Sequence, residues 1–249
     1  MSLFKKLDLS QIKGRVLVIA DVHGHFKALE DRLRELNYNP KEDRLVFLGD
    51  LIDRGPHSAL AVEYLNHARV LGNHEQMFWN AVQSPPFRHA DLVFLRNGGG
   101  WITNIVKQEW KPMAERLIDA PVALEILTPA GNRIGVVHAE VPYTHWDQVR
   151  TILSRMTRRD LETMQRFYMD ETLAEHPRLL HLYGYLWGRQ VICGEPTQRV
   201  HGIDHTFHGH TPVQQILTRG NATWCDGHAY AGGPMNVIDV DDFLRQLKK

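Results

Sequence analysis

Three short apolar runs in the first 82 residues are each followed at once by a polar, glycine-bearing block and then by a helical pattern. Residues 15–20 are rich in Val and Ile and read as a buried strand. Phe26, Leu29, Leu33 and Leu36 then recur at helical spacing over residues 26–37. Residues 44–48 read as a second strand, and 58–67 as a helix with Ser58 as its N-cap. Residues 69–71 read as a third short strand, followed by a helix from Glu75 to Val82. This β-α-β-α-β-α order predicts a largely parallel sheet with helices packed on it.

The polar blocks sit at one repeated place in that pattern. Asp21-Val22-His23-Gly24 follows the first strand. Gly49-Asp50-Leu51-Ile52-Asp53-Arg54-Gly55 follows the second, and Gly72-Asn73-His74-Glu75 the third. Ligand sites of open α/β sheets lie beyond the carboxyl ends of the strands, so the three blocks are expected to converge. The spacing of Asp21 and His23 puts both side chains on the same side of an extended segment. With His138 and His210, the blocks supply the carboxylates and imidazoles that a two-metal hydrolytic site needs.

A carboxylate that bridges two cations offsets their mutual repulsion, and Asp50 is the candidate. Asp21 and His23 would complete one metal, and Asn73, His138 and His210 the other. This mixed oxygen and nitrogen set suits two ions of manganese, iron or zinc better than calcium or magnesium. Arg54 and Arg189 could each grip phosphate oxygens with a planar fork. His74 would protonate a leaving oxygen, with Asp53 orienting it and holding its charge. Gly49, Gly55, Gly72 and Gly209 permit tight turns beside the metals.

The second half changes character. Residues 99–119 read as helical after a Gly98-Gly99-Gly100 break. Residues 122–127 and 133–138 read as a hairpin around Pro129-Ala130-Gly131-Asn132. Residues 145–182 are polar, helical in pattern and free of site motifs. Short strand-like runs follow at about 204–208, 213–218, 222–225 and 235–240, which predicts a second sheet packed on the first. The expected organisation is one domain over 1–249 with a helical insertion or cap at 143–186.

Composition narrows the class. Lys plus Arg and Asp plus Glu both number 29, which gives no global field for nucleic acid or a membrane surface. A phosphate pocket, where charge is local, is compatible with that balance. The start of the chain lacks an apolar run of signal-peptide length, and no later run is long enough to span a bilayer. Cys193 and Cys225 are the only cysteines, which fits a cytoplasmic protein without disulfides. The 15 histidines suit a metal enzyme, although His25, His145, His181, His201, His205 and His228 read as surface or core residues. Met77, Trp79, Trp101 and Trp110 read as core, and Cys225 and Asp226 as structural neighbours of the site.

Together these blocks resemble the phosphoprotein phosphatase branch of the calcineurin-like metallophosphoesterases, and most closely its bacterial and phage (lambda-type) serine/threonine phosphatases. Further matches are GNHEQM at 72–77, NGGGW at 97–101, His138-Ala139 followed by Pro142, Trp187-Gly188-Arg189 and GHTP at 209–212. The similarity covers about residues 15–142 and 187–240. It implies a four-layer αββα sandwich of two mixed sheets and a dinuclear centre, mostly manganese-activated in bacterial members. It supports the ligand and role assignments given above at the matching positions. Ala20 replaces a usual glycine and His25 a frequent cysteine. His208 adds an imidazole two residues before His210, and His210 is favoured because it stands in Gly-His-Thr.

The expected function is a metal-dependent phosphomonoesterase acting on phosphoserine and phosphothreonine in proteins, or on small phosphoesters, by in-line attack of a metal-bridging hydroxide. A diadenosine tetraphosphatase-like or RNA-end hydrolase is the alternative. Those relatives often carry Ala-Arg-Gly where this chain has Asp53-Arg54-Gly55. A catalytically dead metal-binding interaction module is the alternative outside enzymes.

Overall fold

The computed structural model describes residues 2–83, 89–169, 172–194 and 199–248. The first half contains β1 (Phe4–Asp8), β2 (Val16–Ile19), α1 (Phe26–Glu35), β3 (Arg44–Phe47) and β4 (Ala68–Arg69). It continues through α2 (Asn73–Gln83), α3 (His89–Arg96) and α4 (Trp110–Ile118) to β5 (Ala123–Leu127) and β6 (Arg133–Val137). Four helices follow: α5 (Trp146–Leu153), α6 (Arg158–Met169), α7 (Pro177–Trp187) and α8 (Gln190–Cys193). The chain ends with β7 (His205–His208), β8 (Leu217–Arg219), β9 (Ala222–Trp224), β10 (Val237–Asp239) and α9 (Val240–Gln246).

The strands form two mixed sheets, a six-stranded one ordered β1-β5-β6-β7-β9-β8 and a four-stranded one ordered β10-β2-β3-β4. In the smaller sheet β2, β3 and β4 are parallel and β10 is antiparallel to β2. Alternation along the strands sets the layers. Val16, Val18, Val46 and Leu48 pack between the sheets against Leu124, Ile126, Ile134 and Val136. Leu17, Ile19, Leu45 and Phe47 point the other way, onto Phe26, Leu29 and Leu33 of α1. On the far side, Ala123 and Val137 pack with Trp146, Val149 and Leu153 of α5. The result is the αββα sandwich, with both faces of β2 and β3 buried.

Several elements differ from expectation. β1 was not foreseen: Phe4–Asp8 pairs in parallel with β5 across most of the first half of the chain. The segment at 58–67 is a shorter 3₁₀ turn, Ser58–Glu63, and Ser58 is its first residue, donating to Gly55 O at 3.2 Å. The expected helix at 99–119 divides into 3₁₀ turns at Gly99–Asn104 and Lys107–Glu109 followed by α4. The hairpin at β5 and β6 is present and antiparallel. Residues 145–182 form α5, α6, a 3₁₀ turn at Leu173–Glu175 and the start of α7, the described residues between them are not helical, and residues 170 and 171 of the expected cap lie outside the described residues. No helix among the described residues is long and apolar enough to cross a membrane.

The core also contains two neutral histidines. His205 lies 2.7 Å from Thr223 Oγ1 through Nε2, and His208 donates from Nδ1 to Val137 O at 3.2 Å. Burial pulls the His205 imidazole down to about 4 and that of His208 down to about 3. Unfolding frees both to take protons near pH 6.5. Their contribution to stability is therefore complete above pH 6.5 and shrinks as the pH falls below it, by about 2 kcal/mol each at pH 5. Denaturant unfolding at pH 7 and pH 5 is expected to show this loss. His205→Gln is expected to lose about 2 kcal/mol less over that interval.

Candidate metal centre

The site is assembled by backbone before any side chain is considered. Val22 and His23 donate their N–H groups to Asp50 O at 3.1 and 2.9 Å, and Gly24 donates to Leu51 O at 2.9 Å. Glu75 joins the next loop to these two. One of its oxygens accepts from Asp50 N and Gly72 N, both at 3.0 Å, and the other accepts from Leu51 N at 2.7 Å. The chain pays for this convergence in backbone strain. His23, Asp50, Asp53, Arg54 and His210 have φ of +46°, +51°, +73°, +66° and +63°. Each left-handed non-glycine residue costs roughly 1 kcal/mol or more. A Cβ at position 72 would lie 2.2 Å from Asp50 Oδ1, and one at 209 would lie 2.0 Å from Asp21 Oδ1, so these two glycines let the loops approach the carboxylates.

Asp50 stands at the centre. Its Oδ2 is 3.4 Å from His138 Nε2, 3.7 Å from His23 Nε2 and 3.8 Å from His74 Nε2. Its Oδ1 accepts the His74 backbone N–H at 3.0 Å. Asn73 Oδ1 lies 2.8 Å from His138 Nε2 and 2.9 Å from His210 Nδ1. Asp21 lies 4.0 Å from His23 Nε2 and accepts the His210 backbone N–H. Two groups of donor atoms result, each within 4.8 Å: His23, Asp50 and His74, and Asp50, His138 and His210. Asp50 belongs to both. His208 is turned away, stacked on Trp224 at 5.0 Å, so of the two neighbouring imidazoles only His210 joins the cluster.

The imidazoles are oriented from behind. His23 Nδ1 donates to Ile52 O at 2.9 Å and His138 Nδ1 donates to Leu48 O at 2.7 Å. In His23 this leaves the Nε2 lone pair for Arg54 or a cation, and in His138 it turns Nε2 towards Asp50 and Asn73, where a cation would replace the proton the ring carries. Charge gives the same fit. Burial alone would pull His138 down, but Asp50 and Asp21 outweigh it and hold the ring at about 9. Burial likewise opposes ionisation of Asp50, yet His138, His74 and His23 keep its carboxyl well below the usual range. Burial and then Asp226 push Asp21 well up. His210 Nε2 and Asp226 Oδ2 are buried without a hydrogen-bond partner. The donor set is therefore short of positive charge, and the residues fit divalent cations.

The remaining candidate residues lie around this core. His74 Nδ1 is 2.7 Å from Asp53 Oδ2, and Trp101 Nε1 donates to Asp53 Oδ1 at 2.6 Å. Burial opposes charge on this pair, pulling His74 down to about 4 and pushing Asp53 well up, so the two share a proton as a neutral unit. Arg54 spans His23 Nε2 at 2.9 Å and His74 Nε2 at 3.1 Å, and its guanidinium lies 4.1 Å from the centre of the Tyr230 ring. Arg189 is exposed, with Nη2 donating to His210 O at 3.4 Å. Glu140 holds the adjacent turn by accepting from Gln190 N and Val191 N at 3.1 and 2.7 Å.

Four contributors escaped the sequence reading. Trp101 is not simply core but a donor to Asp53. Tyr230 supports Arg54 and meets the His23 ring edge-on at 5.0 Å. Glu75 fastens the loops, and Glu140 fixes the Arg189 turn. The NGGGW block was the available signal for Trp101: Arg54 N donates to Gly98 O at 3.0 Å, and Gly98 has φ +99°. Nothing in the sequence pointed to Tyr230.

A family model of calcineurin-like phosphoesterases matches residues 14–214, and the chain belongs to that family. Serine/threonine-protein phosphatase 1 of Salmonella typhimurium is 29% identical over 232 residues, which cover 90% of this chain and 91% of that protein. The symmetrical bis(5'-nucleosyl)-tetraphosphatase of Pseudomonas syringae is 38% identical, but over 65 residues, 24% of this chain and 22% of its own. The fold is shared with a serine/threonine phosphatase of Saccharomyces cerevisiae at a TM-score of 0.58 and 17% identity, covering 91% of this chain and 71% of the other.

Cation binding must displace the proton that His138 carries below pH 9. Titrating metal-free protein with Mn²⁺ at pH 7 is expected to release about one proton from this ring, read by calorimetry in buffers of different ionisation enthalpy. Affinity is expected to rise with pH up to about 9. An absence of proton release would contradict the charge balance described above.

Proposed function

We propose that the chain is a protein serine/threonine phosphatase that uses two divalent cations, manganese in our reading. Asp21, His23, Asp50, Asn73, His138 and His210 would hold them. When bound, such ions polarise a phosphate and lower the pKa of water to the neutral range. Arg54 and Arg189 bind phosphate oxygens and orient the ester for in-line attack by water. Tyr230 supports the Arg54 guanidinium, and Glu140 holds the turn that carries Arg189.

The observation that carries this reading is the chain of contacts from Trp101 through Asp53 to His74, at 2.6 and 2.7 Å. A serine or threonine alkoxide is a poor leaving group and needs a proton as the ester bond breaks. His74 would deliver it from Nε2 after taking up a proton there, because the proton it shares with Asp53 sits on the Nδ1 side and Arg54 occupies Nε2 in this structure; Asp53 would hold the resulting imidazolium. The phosphoanhydride of a dinucleotide leaves as a phosphate and has less need of an acid. The extent of the match to the Salmonella phosphatase, 90% of this chain, favours the same reading over the 24% matched by the tetraphosphatase. The tetraphosphatase-like reading keeps some support from the higher identity of that shorter match. Helix α7, which lines the groove beside Arg189 and His210, is the element of the expected cap best placed to distinguish substrates.

His74→Asn is expected to lower kcat on a phosphoserine peptide by about 10²–10⁴-fold. The loss should be smaller on p-nitrophenyl phosphate, whose nitrophenolate leaves without protonation. Trp101→Phe should move both substrates in the same direction by less. Equal losses on the two substrates would remove His74 from the role of acid.

Metal-depleted protein reconstituted with Mn²⁺ is expected to release phosphate faster from a phosphoserine peptide than it cleaves diadenosine tetraphosphate. The reverse order would establish the nucleotide hydrolase instead. Metal binding without turnover of either would leave a binding module.

A further inference from the structure

A groove of about 680 Å³ opens beside the metal centre and shares Arg189 and His210 with it. One wall is the segment after β6, with Pro142 and Tyr143, and the other is α7, with Tyr183 and Trp187. The Trp187 ring stands 6.2 Å from the ring of His210. Tyr143 and His181 are joined through the hydroxyl and Nδ1, and their rings lie 5.3 Å apart. Burial keeps His181 low, and therefore neutral at pH 7. Leu180 is 40% exposed along the same wall.

From this placement, and resting on the phosphatase reading, we infer that the groove seats an aromatic side chain lying one or two residues from the phosphoserine or phosphothreonine of a protein substrate. The groove starts at residues of the phosphate site, so its occupant is joined to the phosphorylated group. Extended peptide advances about 3.3–3.6 Å per residue, so a neighbouring side chain reaches the ring of Trp187 and those beyond it. A volume of this size is in the range of pockets that enclose a large organic group, and far exceeds a serine side chain. Aromatic walls favour a ring through stacked and edge-on contacts.

Charge argues against a polyphosphate. Arg189 is the one Lys or Arg among the described residues lining the groove. The Glu140 carboxylate is engaged by two backbone N–H groups and would repel further phosphates. A chain of several phosphates would lie here without cations to match it, whereas a single phosphate with an uncharged neighbour would not.

The test uses the full chain reconstituted with Mn²⁺ and three phosphoserine peptides. One carries Phe before the phosphoserine, one carries Phe after it, and one carries Ala at both positions. At least one Phe peptide is expected to exceed the Ala peptide roughly tenfold in kcat/KM. That ratio is expected to fall towards one in Tyr183→Leu and in Tyr143→Ala. Because it is a ratio within one preparation, a partly misfolded variant does not distort it. A ratio near one in the wild type, or a ratio unchanged in both variants, overturns the groove assignment and leaves the phosphatase reading intact. Cleavage of diadenosine tetraphosphate with none of the peptides, and a KM for it that rises in the variants, overturns both and gives the groove to a nucleobase.

Discussion

The structure depends on one buried carboxylate. Asp50 is 2% exposed, lies in a left-handed backbone conformation and faces three imidazoles within 3.8 Å. A buried anion is tolerated only where cations and hydrogen-bond donors surround it. The loops around Asp50 meet that need. Its Oδ1 takes the His74 backbone N–H, and its own N–H is taken by Glu75, which also receives those of Leu51 and Gly72. Gly72 has no side chain because a Cβ there would fall on Asp50 Oδ1. The strained residues of the site are thus neighbours in space that hold one another in place, and the doubly buried strands β2 and β3 provide the base from which their loops rise.

The same strands fix the chemistry of the rings. Leu48 and Ile52, just beyond β3, present the carbonyls that receive His138 Nδ1–H and His23 Nδ1–H. Tautomer choice is therefore made by main chain, which does not titrate. His74 is treated differently. Its Nδ1 meets a carboxylate rather than a carbonyl, and that carboxylate is in turn anchored by Trp101. A carbonyl behind a ring favours a neutral metal ligand, whereas a carboxylate behind a ring favours one that can carry a proton. On the proposed reading, neighbouring histidines thereby take separate tasks.

How far the sequence revealed this follows from where each contact is made. β2 and β3 were legible because strands buried on both faces are continuous apolar runs, and the polar blocks at their ends marked the site. β1 was not, because its Lys5 and Lys6 are exposed and its partner strand lies more than a hundred residues away. Apolar spacing also fails to separate an α-helix from the 3₁₀ turns found at Ser58–Glu63 and Gly99–Asn104. His208 and His210 were hard to rank by spacing alone. Strand β7 ends at His208, and the left-handed turn at His210 sends its ring into the site while His208 stays against Trp224. Tyr230 could not have been found at all. Its neighbours Arg54 and His23 are remote in sequence, and only the packing of the two sheets brings them together.

That division between near and remote contacts bears on how such a site can change. The donor cluster is locked by backbone hydrogen bonds and by glycines that leave no room for a side chain, so almost any substitution there disturbs several loops at once. The groove beside it is built otherwise. Tyr143 and Tyr183 are half-buried and line its two walls. The exposed Arg189 and the ring of His210 are where the two regions meet. If the groove sets substrate preference as we propose, that preference can drift by single side-chain replacements on α7 and the segment after β6, while the carboxylate and imidazoles of the proposed metal site remain fixed.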